Sequence, residues 1–296
     1  MRENGTRIRA TEFRDAAGVP SLCLDGAGDY DLALTFDCGQ CFRFEPTGGG
    51  RFEGVAFGRV LTCSSPAPGR LILHGCTNAE YEAVWRSFLA LDRDWRAIYA
   101  DAAERSPVFA EAIGRAGGIR ILRQEPFETL ITFVLSQCNN IPRIKSLVSA
   151  LASAYGEPVR SRDGRTFYSF PSSARLAAAP EEELRALKLG YRAEFVREAA
   201  KAAEAGLLLR IAEEKDTGRA LGMLTEIRGV GEKVASCALL FGFGRLDAFP
   251  RDVWIRRAME RLFPGVKDPA VFGPYAGVCQ QLLFFRERYG RDRPLS

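Results

Sequence analysis

The residues most able to do chemistry lie between Leu224 and Phe263, which reads LTEIRGVGEKVASCALLFGFGRLDAFPRDVWIRRAMERLF. Lys233 follows a Gly229-Val230-Gly231 turn and falls in the first turn of the helix expected from Glu232. The helix macrodipole disfavours a cation there, which is unusual for a lysine serving only solubility. Asp252 follows Pro250 and stands at the N-cap position of a further amphipathic helix. A neutral amine is a nucleophile able to form a Schiff base with a sugar carbon. A held carboxylate can stabilise developing positive charge or accept a proton. Read singly, each residue also has an ordinary explanation, a solvated lysine and a simple cap.

The elements that must position this pair are legible around it. A helix ending near Ile227, the glycine turn and the helix from Glu232 form a hairpin. The turn calls for glycine, either for positive φ or for close approach, and the second helix presents free N–H groups at its N-terminus, a site for a phosphate. Val234, Cys237, Ala238 and Phe241 give that helix an apolar face.

With 296 residues, 47% hydrophobic and 26% charged, the chain has the composition of a globular protein large enough for one big domain or two of ordinary size. A net charge of +4 permits a nucleic-acid partner without demonstrating one. There is no apolar run of membrane-spanning length, and the charged start MRENGTRIRATEFRD lacks a signal peptide's apolar core. The expected location is the cytoplasm, with the eight cysteines reduced. Cys38-Gly39-Gln40-Cys41 with Cys63 and Cys76 lacks the second CxxC of a zinc site, and no four-cysteine cluster suggests iron and sulfur. The one histidine, His74, excludes mechanisms that need several and reads as a satisfied strand residue.

From Ser21 to Cys76 the segments LCLDG, DYDLALTF, CFRFEP, FEGVAFGRVLTCSS and RLILHG alternate between turn clusters, predicting an antiparallel sheet with hairpins. From Asn78, Tyr81, Val84, Trp85, Phe88, Leu89 and Leu91 take helical spacing, and helical patterns run almost to the end. The expected class is α+β, with an antiparallel β domain over 1–77 and an all-α domain over 78–296. Within 121–156, a polar Ser136-Gln137-Cys138-Asn139-Asn140 corner separates two helices, the second beginning at Pro142. That corner reads equally as a DNA-facing loop or an ordinary turn. Tyr191 beside Arg192 after Gly190 suits a wedge in a base stack, or a tyrosine packed at a loop edge. Gln280 and Phe284 share one face of a helix, fit to bond a base edge and stack on its ring, or simply to pack.

Assembled, these stretches resemble the 8-oxoguanine DNA glycosylase/AP lyases of the helix-hairpin-helix superfamily from about residue 30 to 290. The resemblance is carried by CGQCFRF (Cys38 to Phe44), LRQEPFE, NNIPRI (Asn139 to Ile144), Gly190-Tyr191-Arg192, GVGEKVASC, Pro250-Arg251-Asp252-Val253 and PYAG followed by Gln280 and Phe284. It implies that Lys233 attacks the sugar C1′ and Asp252 stabilises the charge that develops. It implies that the Gly39 carbonyl accepts the N7–H of 8-oxoguanine, Phe284 and Cys237 sandwich the flipped ring, and Gln280 bonds its Watson–Crick edge. Tyr191 would wedge the stack. Asn139, Asn140, Arg143 and Arg192 would meet the DNA around the gap and the orphaned cytosine, while Gly229 and Gly231 offer hairpin N–H groups to a phosphate. The implied partner is duplex DNA containing 8-oxoguanine, bound by a monomeric, nucleoid-associated enzyme. No metal or organic cofactor is implied for the chemistry, and a structural monovalent cation is expected at the hairpin carbonyls.

Three positions depart from the family pattern. Cys138 replaces a gap-filling asparagine and offers little hydrogen bonding, which weakens the expected preference for an opposite cytosine. Trp254 stands in place of a phosphate-contacting histidine, and Arg228 in place of a proline. Two other readings remain open at this level: a monofunctional alkylated-base glycosylase, which needs no equivalent of Lys233, and a non-catalytic hairpin DNA-binding protein.

Overall fold

The computed structural model describes residues 8–15 and 18–290. Residues 1–7, half of the charged start, lie outside the described residues. An antiparallel sheet comes first: β1 Arg9–Arg14, β2 Pro20–Asp25, β3 Phe44–Gly48, β4 Arg51–Ala56, β5 Arg59–Ala67 and β6 Arg70–His74, in the order β1-β2-β6-β5-β4-β3. Its buried face carries Leu22, Leu24, Leu61, Cys63, Leu71 and Leu73 in strict alternation with outward residues. His74 ends β6, and its Nε2 lies 2.8 Å from the Ser64 hydroxyl.

The sheet departs from expectation at two places. DYDLALTF is not a strand. Asp31 accepts the Leu34 N–H at 2.8 Å and caps a helix over Leu32–Phe36. Leu32, Thr35 and Phe36 are its buried residues, the i, i+3, i+4 spacing of a helix, and this outweighs the apparent alternation. Phe36 then stacks on Phe44 with centroids 4.4 Å apart, and Phe44 on Phe88 at 5.4 Å. The edge strand β1 was not anticipated, because RATEFR is nearly all exposed and shows no apolar face.

Thr77 and Glu80 form a reciprocal capping box and open a helical run from Asn78 to Phe88, with a π-turn over Tyr81–Trp85. Tyr81, Trp85 and Phe88 from this run pack into the core of the sheet. Beyond it the chain is helical except for a short hairpin, β7 Pro158–Arg160 with β8 Thr166–Tyr168, whose three-residue strands are too exposed to leave a pattern. The centre of the helical part is Pro126–Leu135, buried continuously from Thr129 to Leu135. Such a helix is apolar all round because protein surrounds it. Arg192–Glu204 and the hairpin's second helix pack against it.

Candidate active site

The hairpin forms from a helix over Thr217–Thr225, two residues shorter than expected, and a second over Glu232–Cys237 that continues as a π-turn to Gly242. Gly229 needs to be glycine on both counts: φ is +85°, and a Cβ there would meet the Phe195 ring at 2.1 Å. Gly231 needs neither. Its φ is −88°, and the space beside it is open. No side chain caps the helix at Gly231, so its first N–H groups are left without a side-chain acceptor.

A cavity of about 700 Å³ opens where this hairpin, the Cys38–Gly39 loop and the C-terminal helix Ala276–Tyr289 meet. Lys233, Asp252, Gly39, Cys237, Gln280, Phe284, Asn139 and Asn140 all line it. Residues spread across the whole sequence thus converge on one cavity. Arg143, Tyr191, Arg192, Gly229 and Gly231 are not in that lining.

Lys233 Nζ donates to the Ser136 hydroxyl at 2.7 Å and lies 4.9 Å from the centre of the Phe133 ring. Asp252 is the N-cap of Val253–Leu262, and one carboxylate oxygen accepts the Ile255 N–H at 2.8 Å. Between them lies the buried thiol of Cys237. Burial pushes it up to about 11, with the Lys233 charge opposing and the Asp252 charge adding to the rise. Both catalytic candidates therefore act on one thiol, which stays protonated and serves as a neutral wall.

The opposite wall is held rigidly. Gln40 is buried; its Nε2 donates to the carbonyls of Thr35 (2.9 Å) and Arg120 (2.7 Å), and its Oε1 accepts from Leu122 N. Gln281 Nε2 donates to the Cys38 carbonyl at 2.8 Å. Gly39 has φ +79°, and a Cβ on it would stand 3.3 Å from the Phe284 ring. Gln280 is 5% exposed, and its Oε1 has no hydrogen-bond partner among the described residues. A buried amide oxygen without a partner, in a cavity wall, is an acceptor awaiting a donor.

The residues expected around a gap do structural work in this state. Asn140 caps Ile141–Tyr155 by accepting the Arg143 N–H at 3.0 Å, and Asn139 Nδ2 donates to the Leu135 carbonyl at 2.9 Å. Arg143 Nη2 donates to the Lys188 carbonyl at 3.1 Å. Arg192 Nε and Nη2 both donate to the Gln137 carbonyl, and its guanidinium sits 4.5 Å from the Tyr191 ring centre. Tyr191 is 45% exposed, at the edge of Phe195. Cys138 is exposed at the tip of the corner with φ +49°. Trp254 lines the cavity mouth at 53% exposure, and Arg228 Nη1 pairs with Glu194 at 2.6 Å.

Sequence reading gave no role to Ser136, Gln137 or Gln281. Ser136 and Gln137 lay inside a corner recognised as polar, but nothing local marks Gln281. The cysteines once weighed for zinc are free, and among the described residues no three His, Cys, Asp or Glu side chains are grouped to hold a metal. Nor is any described helix long and apolar enough to cross a membrane.

Comparison with known proteins agrees with this geometry. A family profile described as 8-oxoguanine DNA glycosylase, N-terminal domain, matches residues 26–130, and one described as HhH-GPD superfamily base excision DNA repair protein matches 131–270. The N-glycosylase/DNA lyase OGG1 of Arabidopsis thaliana is 32% identical over 88% of this chain and 78% of its own length. MBOgg1, solved with a low-affinity DNA ligand, superposes with a TM-score of 0.87 at 33% identity, covering 95% of this chain and 98% of that one. The Clostridium acetobutylicum 8-oxoguanine glycosylase/lyase, solved with duplex DNA containing cytosine opposite the lesion, gives 0.86 at 29% identity, over 95% and 97%. The fold, the two successive profile matches and a relative covered over 78% of its length together place this chain in the 8-oxoguanine DNA glycosylase family of helix-hairpin-helix N-glycosylase/DNA lyases.

Proposed function

We propose that the chain removes 8-oxoguanine from duplex DNA and then cleaves the strand, with Lys233 as nucleophile and Asp252 as its electrostatic partner. The observation that carries this reading is the convergence of an amine, a carboxylate and an unpartnered buried amide oxygen on one cavity. The flipped base enters between Phe284 and Cys237. Gln280 Oε1 accepts from its Watson–Crick edge, and the Gly39 carbonyl accepts the N7–H that guanine lacks. Normal guanine presents a lone pair there instead, and an unpaired buried carbonyl is costly enough to discriminate.

The Lys233 nitrogen bonds to C1′ as the bond from C1′ to the base breaks, and the base leaves with a proton. Asp252 stabilises the positive charge that builds on the sugar. Loss of the amine proton and opening of the ring give an imine. Removal of a 2′ proton then expels the 3′ phosphate. Asn139, Asn140, Arg143, Tyr191 and Arg192 meet the DNA on the side of the gap, and the hairpin N–H groups of Gly229 and Gly231 meet a phosphate, the Val230 N–H being held by the Ile227 carbonyl at 2.9 Å. One chain supplies every group, so a monomer acting at the nucleoid suffices. A monovalent cation at the hairpin would be structural only. The Gly229 carbonyl accepts from Gln137 Nε2 at 3.0 Å and keeps a second lone pair.

The test is borohydride trapping on a duplex with one 8-oxoguanine opposite cytosine, run beside Lys233→Gln and an undamaged guanine duplex. A covalent band only for the wild type on the lesion is expected. No band, with the lesion base still in place, would end the lyase reading.

A further inference from the structure

The Ser136 hydroxyl meets two groups at the same distance. It donates to the Phe133 carbonyl at 2.7 Å, and Lys233 Nζ approaches it at 2.7 Å. A serine hydroxyl has one proton. With that proton on Phe133, the oxygen acts toward the amine only as an acceptor. We infer that Ser136 is a positioning residue for the nucleophile, holding one N–H of Lys233 so that the amine's lone pair is confined to directions facing away from the serine. The inference rests on the Schiff-base reading of Lys233.

Stereochemistry gives the reason such a hold matters. Three staggered positions surround Nζ beyond its carbon, and a free amine samples its lone pair over all of them. Fixing one N–H on Ser136 removes one of the three. The Phe133 ring, 4.9 Å from Nζ, adds an apolar wall on a second side of the amine. A nucleophile held this way starts nearer to attack geometry.

The oxygen is itself fixed from several sides. Ser136 is the C-cap of the buried Pro126–Leu135 helix. Its neighbour Gln137 is bonded at both ends: Nε2 to the Gly229 carbonyl at 3.0 Å, and its own carbonyl to Arg192 Nε at 2.8 Å. The hydroxyl is therefore tied to the hairpin turn on one side and to the Tyr191-Arg192 loop on the other. A catalytic group is held best by neighbours whose own positions are locked.

Ser136→Ala and Ser136→Thr test the inference. Single-turnover borohydride trapping is followed on an 8-oxoguanine duplex and on a duplex with a preformed abasic site, together with DNA affinity and thermal melting. The alanine variant should trap about 10-fold more slowly on both substrates with DNA affinity unchanged and the protein still folded at the assay temperature, its melting point lowered only by the loss of the Phe133 bond, and threonine should restore most of the rate. Trapping by Ser136→Ala at the wild-type rate would overturn the inference. So would a loss shared equally by threonine, or one explained by weaker DNA binding or by unfolding at the assay temperature. Failure of the wild type to trap on either duplex would instead bring down the Schiff-base reading on which it stands.

Discussion

Replacing Gln280 by methionine should make the protein more stable and worse at its task. The Gln280 side chain is buried in the cavity wall, and its Oε1 accepts from nothing among the described residues. A buried polar group left unpaired costs roughly 1–3 kcal/mol. Methionine has nearly the same length and volume and no such atom, and swaps of this kind are well tolerated in packed surroundings. The free protein should therefore gain about 1–2 kcal/mol, a rise of several degrees in melting temperature for a chain of this size. In the proposed function the same change deletes the acceptor for the base edge. Losing one hydrogen bond to a bound ligand costs about 1–2 kcal/mol, so excision should fall by roughly 5- to 30-fold in kcat/KM.

The assay pairs a thermal melt with single-turnover excision from an 8-oxoguanine duplex and strand cleavage at a preformed abasic site. The abasic substrate has no base for Gln280 to hold, so its cleavage should stay within about 2-fold of the wild type. A lower melting temperature, or excision and abasic cleavage falling in parallel, would refute the reasoning. Either result would mean that Gln280 is satisfied structurally in the free protein and does not await a ligand.

Gly229→Ala forces a side chain to φ +85° and against the Phe195 ring, so it should cost about 3 kcal/mol in a denaturant melt, whereas Gly231→Ala, at φ −88° with open space, should cost under about 1 kcal/mol. Equal losses at the two glycines would contradict this account of the turn. Glu128 predicts a pH dependence: burial raises its carboxyl to about 7, Arg43 at 3.5 Å opposing and Glu125 adding. Between about pH 4.5 and 7 the folded state holds a proton that the unfolded state has released, so this group's contribution to stability is greatest below that window and is lost as pH rises through 7. The stability difference between wild type and Glu128→Gln should therefore shift by roughly 2–3 kcal/mol toward the variant from pH 5 to pH 8, and a pH-independent difference in urea melts would rule the mechanism out.

What the sequence made legible was whatever physics writes locally. Asp252 was readable as an N-cap because a cap and its helix are neighbours, and it does accept the Ile255 N–H. The hairpin was readable because a reversal leaves glycines, although only Gly229 proved to need its own. Local signals also misled. DYDLALTF satisfies a strand pattern nearly as well as a helical one, and the Asp31 cap decided between them. Strands β1, β7 and β8 are short or exposed and bury too little to write a period. The supports of the site were illegible for a different reason. Ser136 meets Lys233 across 97 residues and Gln281 meets Cys38 across 243, and no periodicity encodes a contact between polar residues so far apart.

The same geometry divides the site into two halves with separate supports. In the proposed function recognition rests on the Cys38–Gly39 loop, which Gln40 locks and Gln281 ties to the helix that carries Gln280 and Phe284. The Tyr289 hydroxyl, at the end of that helix, donates to the Asp37 carbonyl at 2.8 Å beside the same loop. The proposed chemistry rests on the hairpin helix, the Asp252 cap and Ser136, and among the described residues no hydrogen bond joins these to the Cys38–Gly39 loop. The buried Cys237 thiol is where the halves meet, since it lines the cavity and feels both Lys233 and Asp252. Substitutions in the loop or at Gln280 should therefore change which base is removed while sparing abasic-site cleavage, and those at Ser136 or Lys233 should lower both together. Selectivity and lyase activity can then vary separately within one fold, because different hydrogen bonds hold each in place.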